Sequence, residues 1–189
     1  MMASSSSDLK KRRALAWAAF WKLERLWRSA GTPITTKVKL FKALCVTVLL
    51  YGCESWVITK DMENRINSFA TSCYRIMLNI KRLDRVPNDR IYEMTESKPL
   101  IEQVRMRQLR FLGHILRMPE DEPAVRLYAL YIPSHGRRRP GRQRTTYLQY
   151  IQQLLGDHNG QITPKQFVDL ASNKKSWKKL TVACAAADR

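Results

Sequence analysis

The sequence is poor in cysteine and in acidic residues, and it has no long hydrophobic run. Its four cysteines, at positions 45, 53, 73 and 184, are scattered, and no two of them form a CxxC pair. This spacing does not make the disulfide framework of a small secreted protein, so we expect reduced thiols and an intracellular location, nuclear or cytoplasmic. The N-terminal serines lead into a Lys-Lys-Arg-Arg cluster without an apolar segment, which argues against secretion.

The apolar stretches are too short to span a membrane. The longest of them runs from Ala43 to Tyr51, with Lys42 before it and Glu54 after it. A membrane-spanning helix needs about 20 apolar residues, roughly twice this length. We therefore expect no membrane insertion.

The residue combinations that catalysis requires are also missing. The sequence contains no Asp-Asp pair, no phosphate-binding GxxxxGK[ST] loop, no GxSxG elbow and no HExxH zinc motif. The acidic run at residues 120–122 lies between two prolines and is better explained as a solvated loop than as a metal site. His114 has no histidine or cysteine three or four residues away, which favours a packed or solvated side chain over a ligand or base. We predict no catalytic site, no metal site and no cofactor, and hence no enzymatic activity of the chain itself.

Positive charge, in contrast, is abundant. The chain has 34 Lys and Arg against 16 Asp and Glu, a formal net charge of +18. Aromatic residues make up 9 % of the chain and supply enough apolar surface for a folded core. An excess of this size in a folded protein indicates an anionic partner, typically nucleic acid. We therefore expect a folded, basic protein that binds RNA or DNA.

Helical periodicity dominates, and no convincing strand alternation is present, so the predicted fold class is all-α, an irregular helical bundle. Apolar spacing and helix breakers place helices over residues 9–29, 35–51, 61–77, 90–94, 99–117, 124–131, 145–155, 163–170 and 177–186. The apolar stripe of the first helix is predicted to pass through Leu15, Ala19, Leu23 and Trp27, and Ala16, Phe20 and Leu26 widen it. The predicted apolar faces of the two long helices that follow are Met62, Ile66, Phe69, Ala70, Cys73, Ile76 and Met77 over residues 61–77, and Ile101, Val104, Gln108, Leu109, Leu112, Ile115 and Leu116 over residues 99–117. Thr35 or Thr36 is expected to cap the second helix and Asp61 the third, because their side-chain oxygens can accept from a free backbone amide.

The composition divides the chain into four parts. Residues 1–8 are predicted to be a disordered N-terminus, and residues 9–132 a helical domain. Residues 133–144 are rich in arginine, glycine and proline, contain no acid, and are predicted to be a basic linker or loop. Residues 145–189 are predicted to form a small C-terminal helical unit.

Three basic clusters are the candidate nucleic-acid-binding residues. They are Arg137, Arg138, Arg139, Arg142 and Arg144 in the linker, Lys10, Lys11, Arg12 and Arg13 at the start of the chain, and Arg105, Arg107, Arg110 and Arg117 on the helix over residues 99–117. Cationic groups on such segments bind phosphates, with an affinity that falls steeply with salt. For the linker, a solvated basic segment or a nuclear-import signal is the alternative interpretation.

The tryptophans at positions 17, 21, 27 and 56 allow two interpretations. Their spacing favours packing in the core or between helices, and Trp17 and Trp21 lie four residues apart beside the apolar stripe of the first helix. Stacking on nucleic-acid bases is the alternative.

Five stretches of the sequence form a recognisable pattern: Ala16–Leu23, Lys37–Phe41, Leu49–Trp56, Arg110–Met118 and Gly136–Arg142. With them, nearly the whole chain resembles the C-terminal part of endonuclease–reverse transcriptases of non-long-terminal-repeat (LINE-type) retrotransposons. The run Leu-Leu-Tyr-Gly-Cys-Glu-Ser-Trp, residues 49–56, is the most specific of these stretches.

The resemblance implies a helical thumb and a basic C-terminal extension, which grip the template–primer duplex during target-primed reverse transcription. The Tyr-x-Asp-Asp turn of the family's palm domain is missing from this sequence, and so is the acid and histidine constellation of its endonuclease domain. Mg²⁺ is therefore expected only in the absent palm, where it would clamp the reacting phosphate oxygens. A palm and fingers polymerase module is an expected partner, alongside RNA or DNA. Met1 is expected to start a truncated reading frame.

We therefore predict a truncated C-terminal fragment of a retrotransposon reverse transcriptase that binds RNA or DNA through basic surfaces, without a polymerase or endonuclease site of its own. Two alternatives stay open. One is a domesticated chromatin or DNA-binding protein that reads DNA with its basic loop. The other is a translated pseudogene remnant with no selected activity, which exposed apolar residues on the first helix would favour.

Overall fold

The computed structural model describes residues 5–118, 147–156 and 164–186, and the regular secondary structure in these ranges is helical. No strand occurs in them, so the all-α fold class predicted from the sequence is confirmed. The chain divides into two compact units. Unit 1 comprises residues 1–52 and 58–101, and unit 2 comprises residues 53–57 and 102–189.

Unit 1 contains the helices of the first half of the chain. In order they are α1 (Ser5–Trp21), α2 (Glu24–Arg28), α3 (Ile34–Phe41), a π-turn (Lys42–Val46), α4 (Thr47–Leu49), α5 (Lys60–Met77), a 3-10 turn (Arg82–Asp84) and α6 (Asn88–Met94). The π-turn directly joins α3 to α4, so these pieces form one continuous helix over residues 34–49. The helix ends two residues before its predicted end at residue 51, and Gly52 follows in the left-handed conformation, with a φ of +73°, that is common after helices.

Unit 2 is built from one turn and four helices within the described residues. They are a 3-10 turn (Cys53–Ser55), α7 (Leu100–Leu116), α8 (Tyr147–Leu154), α9 (Pro164–Ser172) and α10 (Lys174–Ala186), of which the first two residues of α7 belong to unit 1. Gly156, with a φ of +89°, follows α8 and ends it at the predicted place.

Aromatic rings form the core of unit 1. Phe20 of α1 stacks on Trp27 of α2 with ring centroids 5.0 Å apart, and it meets Phe41 of α3 edge-on at 6.2 Å. Phe41 in turn contacts Phe69 and Tyr74 of α5, at 6.0 and 5.3 Å. All five rings are buried, and each removes about 150–250 Å² of surface from water. The core therefore connects α1, α2, α3 and α5.

The first predicted helix is broken into two helices in the structure. The sequence predicted one helix over residues 9–29, whereas the structure breaks it between Trp21 and Glu24. At the break the Phe20 carbonyl accepts from the Leu23 amide at 3.1 Å and from the Trp27 indole Nε1–H at 2.6 Å. In an unbroken helix this carbonyl would accept from the amide of Glu24. The chain turns here, so that the Trp27 ring folds back onto Phe20.

Within the predicted apolar stripe of the first helix, Ala16 and Phe20, which widen it, are buried more deeply than Leu15 and Ala19 at its centre. Leu15, assigned to the stripe, is 54 % exposed, whereas the neighbouring Ala16 and Phe20 are fully buried. Ala19 is half-buried. The phase that buries Phe20 wins because an aromatic ring removes far more apolar surface from water than an alanine methyl.

The predicted helix caps were wrong. No side chain caps α3, which begins at Ile34 directly after Pro33, so Thr35 and Thr36 lie inside the helix. The fixed φ of Pro33, −57°, sets the entry of the chain into the helix. For α5 the capping residue is Thr59 rather than Asp61.

At the start of α5 the Thr59 Oγ1 accepts from the amide of Met62 at 3.3 Å. Asp61 lies within the first turn, where its carboxylate pairs with Arg65 at 2.8 Å. Both side chains can accept a hydrogen bond from a free backbone amide. Thr59 is the cap because it is the last residue in the extended conformation, with a ψ of 162°, before the helix begins.

The apolar faces of the two long helices α5 and α7 are confirmed. On α5 the predicted positions Met62, Ile66, Phe69, Ala70, Cys73 and Met77 are buried, and the remaining one, Ile76, is half-buried. On α7 they are Ile101, Val104, Gln108, Leu109, Leu112, Ile115 and Leu116. These are the segments in which large side chains repeat most regularly at helical spacing.

Several predicted features lie outside the described residues. They are the helix over residues 124–131, the basic linker over residues 133–144, and the first two residues of the helix predicted over 145–155. Of the N-terminus predicted to be disordered, residues 5–8 are described and form the first turn of α1, so the helix begins four residues before its predicted start.

Lys37 of α3 is buried, with 5 % of its surface exposed, and it makes two hydrogen bonds that join separate helices. Its Nζ donates to the carbonyl of Trp27 in the last turn of α2 at 2.8 Å, and to the carbonyl of Met77 at the end of α5 at 3.3 Å. Carbonyls in the last turn of a helix lack an amide partner within the helix and carry partial negative charge. The ammonium group therefore fixes the ends of two helices against α3.

Replacing Lys37 by Met keeps an apolar stem but leaves both carbonyls without their donor. Because a hydrogen bond to a charged group contributes about 1.5–3 kcal/mol, we expect urea denaturation to show a loss of about 2–4 kcal/mol in the free energy of unfolding. The matched control is Lys39→Met, because Lys39 is exposed on the same helix, and its expected change is within about 0.5 kcal/mol. Equal stability of the two variants would contradict the role of Lys37.

Candidate nucleic-acid interface

The first predicted basic cluster lies in the first turns of α1. Lys10 and Lys11 are exposed and have no ion pair with any described acidic residue. The Arg12 guanidinium pairs with Asp8 one turn earlier at 3.7 Å, and it lies 4.5 Å from the centroid of the Tyr51 ring. Lys10 and Lys11 are therefore the residues of this cluster that are open to an external anion; the remaining member, Arg13, is half-buried.

The four arginines predicted on α7 do not form one exposed face. Arg110 is exposed and Arg107 is half-buried, whereas Arg105 keeps 8 % of its surface exposed. Arg117 is half-buried and donates from Nη1 to the carbonyl of Ala171 in α9 at 2.9 Å. Successive residues of a helix are about 100° apart, so Arg105 and Arg110 point in directions about 140° apart. Arg105 was expected on the polar side and is instead buried, since a long arginine stem packs along apolar surface.

Gln108 is fully buried on α7 and makes three hydrogen bonds with its side chain. Its Nε2 donates to the carbonyls of Cys53 and Trp56, at 2.9 and 2.8 Å. Its Oε1 accepts from the hydroxyl of Tyr150 at 2.7 Å. The Gln108 amide thus bonds to two backbone carbonyls of the 53–57 segment, and the Cys53 carbonyl also accepts from the Trp56 amide at 3.2 Å. Residues 53–56 end the Leu-Leu-Tyr-Gly-Cys-Glu-Ser-Trp run, so part of this distinctive stretch has a structural role.

The 53–57 segment also forms a hydrogen bond with α8. Tyr147, the first residue of α8, donates its hydroxyl to the carbonyl of Glu54 at 3.1 Å, and Tyr150 bonds to Gln108 one turn later. The five arginines of residues 137–144 lie outside the described residues. In the sequence they fall between α7 and α8, and both helices contribute to unit 2.

Replacing Gln108 by Leu removes all three of these hydrogen bonds at similar volume. A hydrogen bond contributes about 0.5–1.5 kcal/mol to stability, so we expect the loss of three to lower the free energy of unfolding by about 3 kcal/mol. The control is Gln103→Leu, since Gln103 is exposed on the same helix. Circular dichroism during urea titration measures both variants, and a Gln108 variant as stable as the control would refute the assignment.

Core packing describes most of the tryptophans that the sequence offered as stacking platforms. Trp27 and Trp56 are buried, and Trp17 meets the Phe69 ring edge-on at 4.9 Å. Trp21 differs from them, because 43 % of its surface is exposed while its ring stacks on Trp17 at 6.1 Å.

The sequence prediction missed a basic surface on α10. Lys174, Lys175, Lys178 and Lys179 are all exposed. Their signal in the sequence is the run Lys-Lys-Ser-Trp-Lys-Lys, but the predicted helix began only at Trp177. In the structure Asn173 caps the helix, since its Oδ1 accepts from the amides of Lys175 and Ser176 at 3.1 Å each. The cap brings all four lysines onto one helix.

Five acidic residues of unit 1 pair with basic residues of their own helices. The pairs are Asp8–Arg12, Glu24–Arg28, Lys60–Glu63, Asp61–Arg65 and Arg90–Glu93. Pairs of this kind, one helical turn apart on a surface, contribute about 0.3–0.5 kcal/mol each. Each of these carboxylates already has a nearby cation, so the excess positive charge remains on other exposed side chains.

The cysteines of unit 1 and of the 53–57 segment are buried as protonated thiols. Burial raises the pKa of the Cys45 thiol to about 11, and burial together with the Glu54 carboxylate raises the pKa of Cys53 to about 12. Burial also raises the pKa of Cys73.

Within the described residues no group of three His, Cys, Asp or Glu side chains is arranged to hold a metal ion, and no helix there is long and apolar enough to cross a bilayer.

These pKa values predict thiols that do not react in the native protein. An unperturbed cysteine has a pKa of about 8.5, so folding favours the protonated form, and this contribution to stability is lost as pH rises from about 9 towards the folded values. At pH 8 we expect the native chain to resist Ellman's reagent and the chain unfolded in guanidinium to react at all four cysteines. Rapid reaction of Cys45, Cys53 or Cys73 in the native chain, identified by peptide mapping, would contradict their burial.

The chain is 25 % identical over 177 residues to an uncharacterized transposon-derived protein of Caenorhabditis elegans. The match covers 90 % of this chain and 62 % of the relative, so the chain spans less than two thirds of the relative's length. No protein-family model matches the chain, and no solved structure matches it. The similarity relates most of this chain to a protein that derives from a transposon.

Proposed function

We propose that the chain derives from a transposon and binds RNA or DNA through its basic surfaces, as the thumb and basic C-terminal extension of a LINE-type reverse transcriptase do. The similarity to a transposon-derived protein supports the origin. The reverse-transcriptase part of the proposal rests on the resemblance of the five stretches described above. In this proposal the chain performs neither polymerase nor endonuclease chemistry itself.

The observation that carries the proposal is the placement of charge. The chain has a formal net charge of +18, and the acidic residues paired in unit 1 are neutralised within their own helices. Exposed cations such as Lys10, Lys11 and Arg110 are left to attract an external polyanion. The five arginines of residues 137–144 add charge without a neighbouring acid in the sequence. A nucleic-acid backbone is the polyanion whose regular charge suits several separate basic segments.

The proposal also gives a partner to apolar side chains that α1 leaves exposed. Leu15 and Trp21 have 54 % and 43 % of their surfaces exposed. A polymerase palm and fingers module, with Mg²⁺ in its own active site, is the protein partner that the resemblance suggests for them. A chain that aggregates and fails to bind nucleic acid at low salt would instead be a remnant without activity.

A salt series tests nucleic-acid binding. We expect the affinity for a short fluorescent RNA–DNA duplex to fall steeply between about 50 and 200 mM salt, with a log–log slope of about −0.9 for each phosphate contact. Replacing Arg137, Arg138, Arg139, Arg142 and Arg144 together by Gln should reduce the steepness by up to about 4.5. The matched control replaces the same five arginines by Lys, and it should keep most of the salt dependence. A wild-type slope near zero would overturn the proposal.

A further inference from the structure

We propose that the exposed lysine face of α10, formed by Lys174, Lys175, Lys178 and Lys179, is a phosphate-binding surface that contacts the backbone of a nucleic-acid duplex. The inference rests on the nucleic-acid binding proposed above and assigns part of it to a definite helix. It adds a site distinct from the three basic clusters that the sequence indicated.

The four lysines concentrate positive charge on one helix, and no described acidic residue pairs with them. They are exposed, and none forms an ion pair with a described acidic residue. The whole of α10 contains no Asp or Glu. At a rise of 1.5 Å per residue the four side chains leave the helix within about 8 Å of its length. Lysines one turn apart repel each other, and positive charge in the first turns opposes the helix dipole, so a bound anion would relieve both effects.

Trp177 fixes which side of α10 faces solvent. In the sequence it lies between the pair Lys174 and Lys175 and the pair Lys178 and Lys179, and it keeps 3 % of its surface exposed. Its indole Nε1–H donates to the carbonyl of Leu109 in α7 at 2.8 Å. A Cβ at Gly113 would lie 2.8 Å from the Trp177 Cε2 atom and closer still to other ring atoms, so the missing side chain of Gly113 makes room for the ring. Thr181 donates to the carbonyl of Trp177 at 2.8 Å one turn later.

This anchoring determines the kind of partner. A basic helix that binds a membrane surface inserts an exposed apolar face rich in Trp, Phe or Leu. Here the tryptophan is already packed on α7, and Val182 is the large apolar side chain of the described part of α10 that is substantially exposed. A rigid helix that presents lysines without an apolar face suits a phosphate backbone, since lysine ammonium groups contact phosphates as point charges.

The test compares charge removal on α10 with equal charge removal elsewhere. The first variant replaces Lys174, Lys175, Lys178 and Lys179 by Gln, and a second replaces the same four by Arg. The matched control replaces Lys22, Lys39, Lys42 and Lys81 by Gln, because these lysines are exposed in unit 1 and lie outside every proposed cluster. Circular dichroism and tryptophan fluorescence confirm that each full-length variant folds. Affinity for a short fluorescent duplex is then measured from about 50 to 200 mM salt.

The expected result is a loss of about tenfold or more in affinity for the Gln variant of α10 at the lowest salt, with a slope less steep by up to about 3.6. The Arg variant should bind as the wild type does, and the control should lose markedly less affinity than the α10 variant. If the wild type binds and the α10 variant keeps its slope, or if it loses no more than the control, this inference is overturned while the proposed function stands. A wild type that binds no duplex overturns both. If the Gln variant of α10 loses more affinity for poly-glutamate than for the duplex, the face is assigned to an acidic protein and the inference is overturned.

Discussion

The two hydrogen bonds of the buried Lys37 ammonium group link the helices of unit 1 at their ends. They belong to a series of polar contacts that runs through the aromatic core. The Phe20 carbonyl accepts from the Trp27 indole, the Trp27 carbonyl accepts from Lys37, and Lys37 also reaches Met77. Each acceptor lies at or near a helix end, where backbone carbonyls lack partners inside the helix. The helices are therefore positioned by a few specific bonds as well as by the general burial of apolar surface.

The sequence predicts this fold well where large apolar residues repeat regularly over many turns. Both α5 and α7 show this pattern, and their buried faces were predicted almost residue by residue. The pattern is weaker in α1, where Leu15 and Ala16 are both apolar and two phases fit. The choice depends on Phe20 meeting Trp27 and Phe41, which no local pattern describes. The Lys37 bond to Met77 joins residues 40 positions apart and is equally invisible in a local window.

The candidate interface was predictable in its sign of charge but only partly in its location. A count of basic residues does not distinguish side chains that are bonded or buried within the protein from those that are exposed to a partner. Arg12 and Arg117 have partners inside the protein, and Arg105 is buried. The lysines of α10 were missed for a different reason. The predicted helix began three residues late, so Lys174 was never placed on the same surface as Lys178.

The three side-chain hydrogen bonds of Gln108 determine how the chain can be divided. Two of them reach the 53–57 segment, which precedes Gln108 by more than fifty residues and is separated from the rest of unit 2 by part of unit 1. Unit 2 is consequently discontinuous in sequence. A chain shortened to residues 102–189 would keep the described helices of unit 2 apart from the first two residues of α7, and yet lack the carbonyls that pair with Gln108 and Tyr147. Expression of the C-terminal half alone would thus remove an internal part of its own fold, and studies of its binding need the 53–57 segment present.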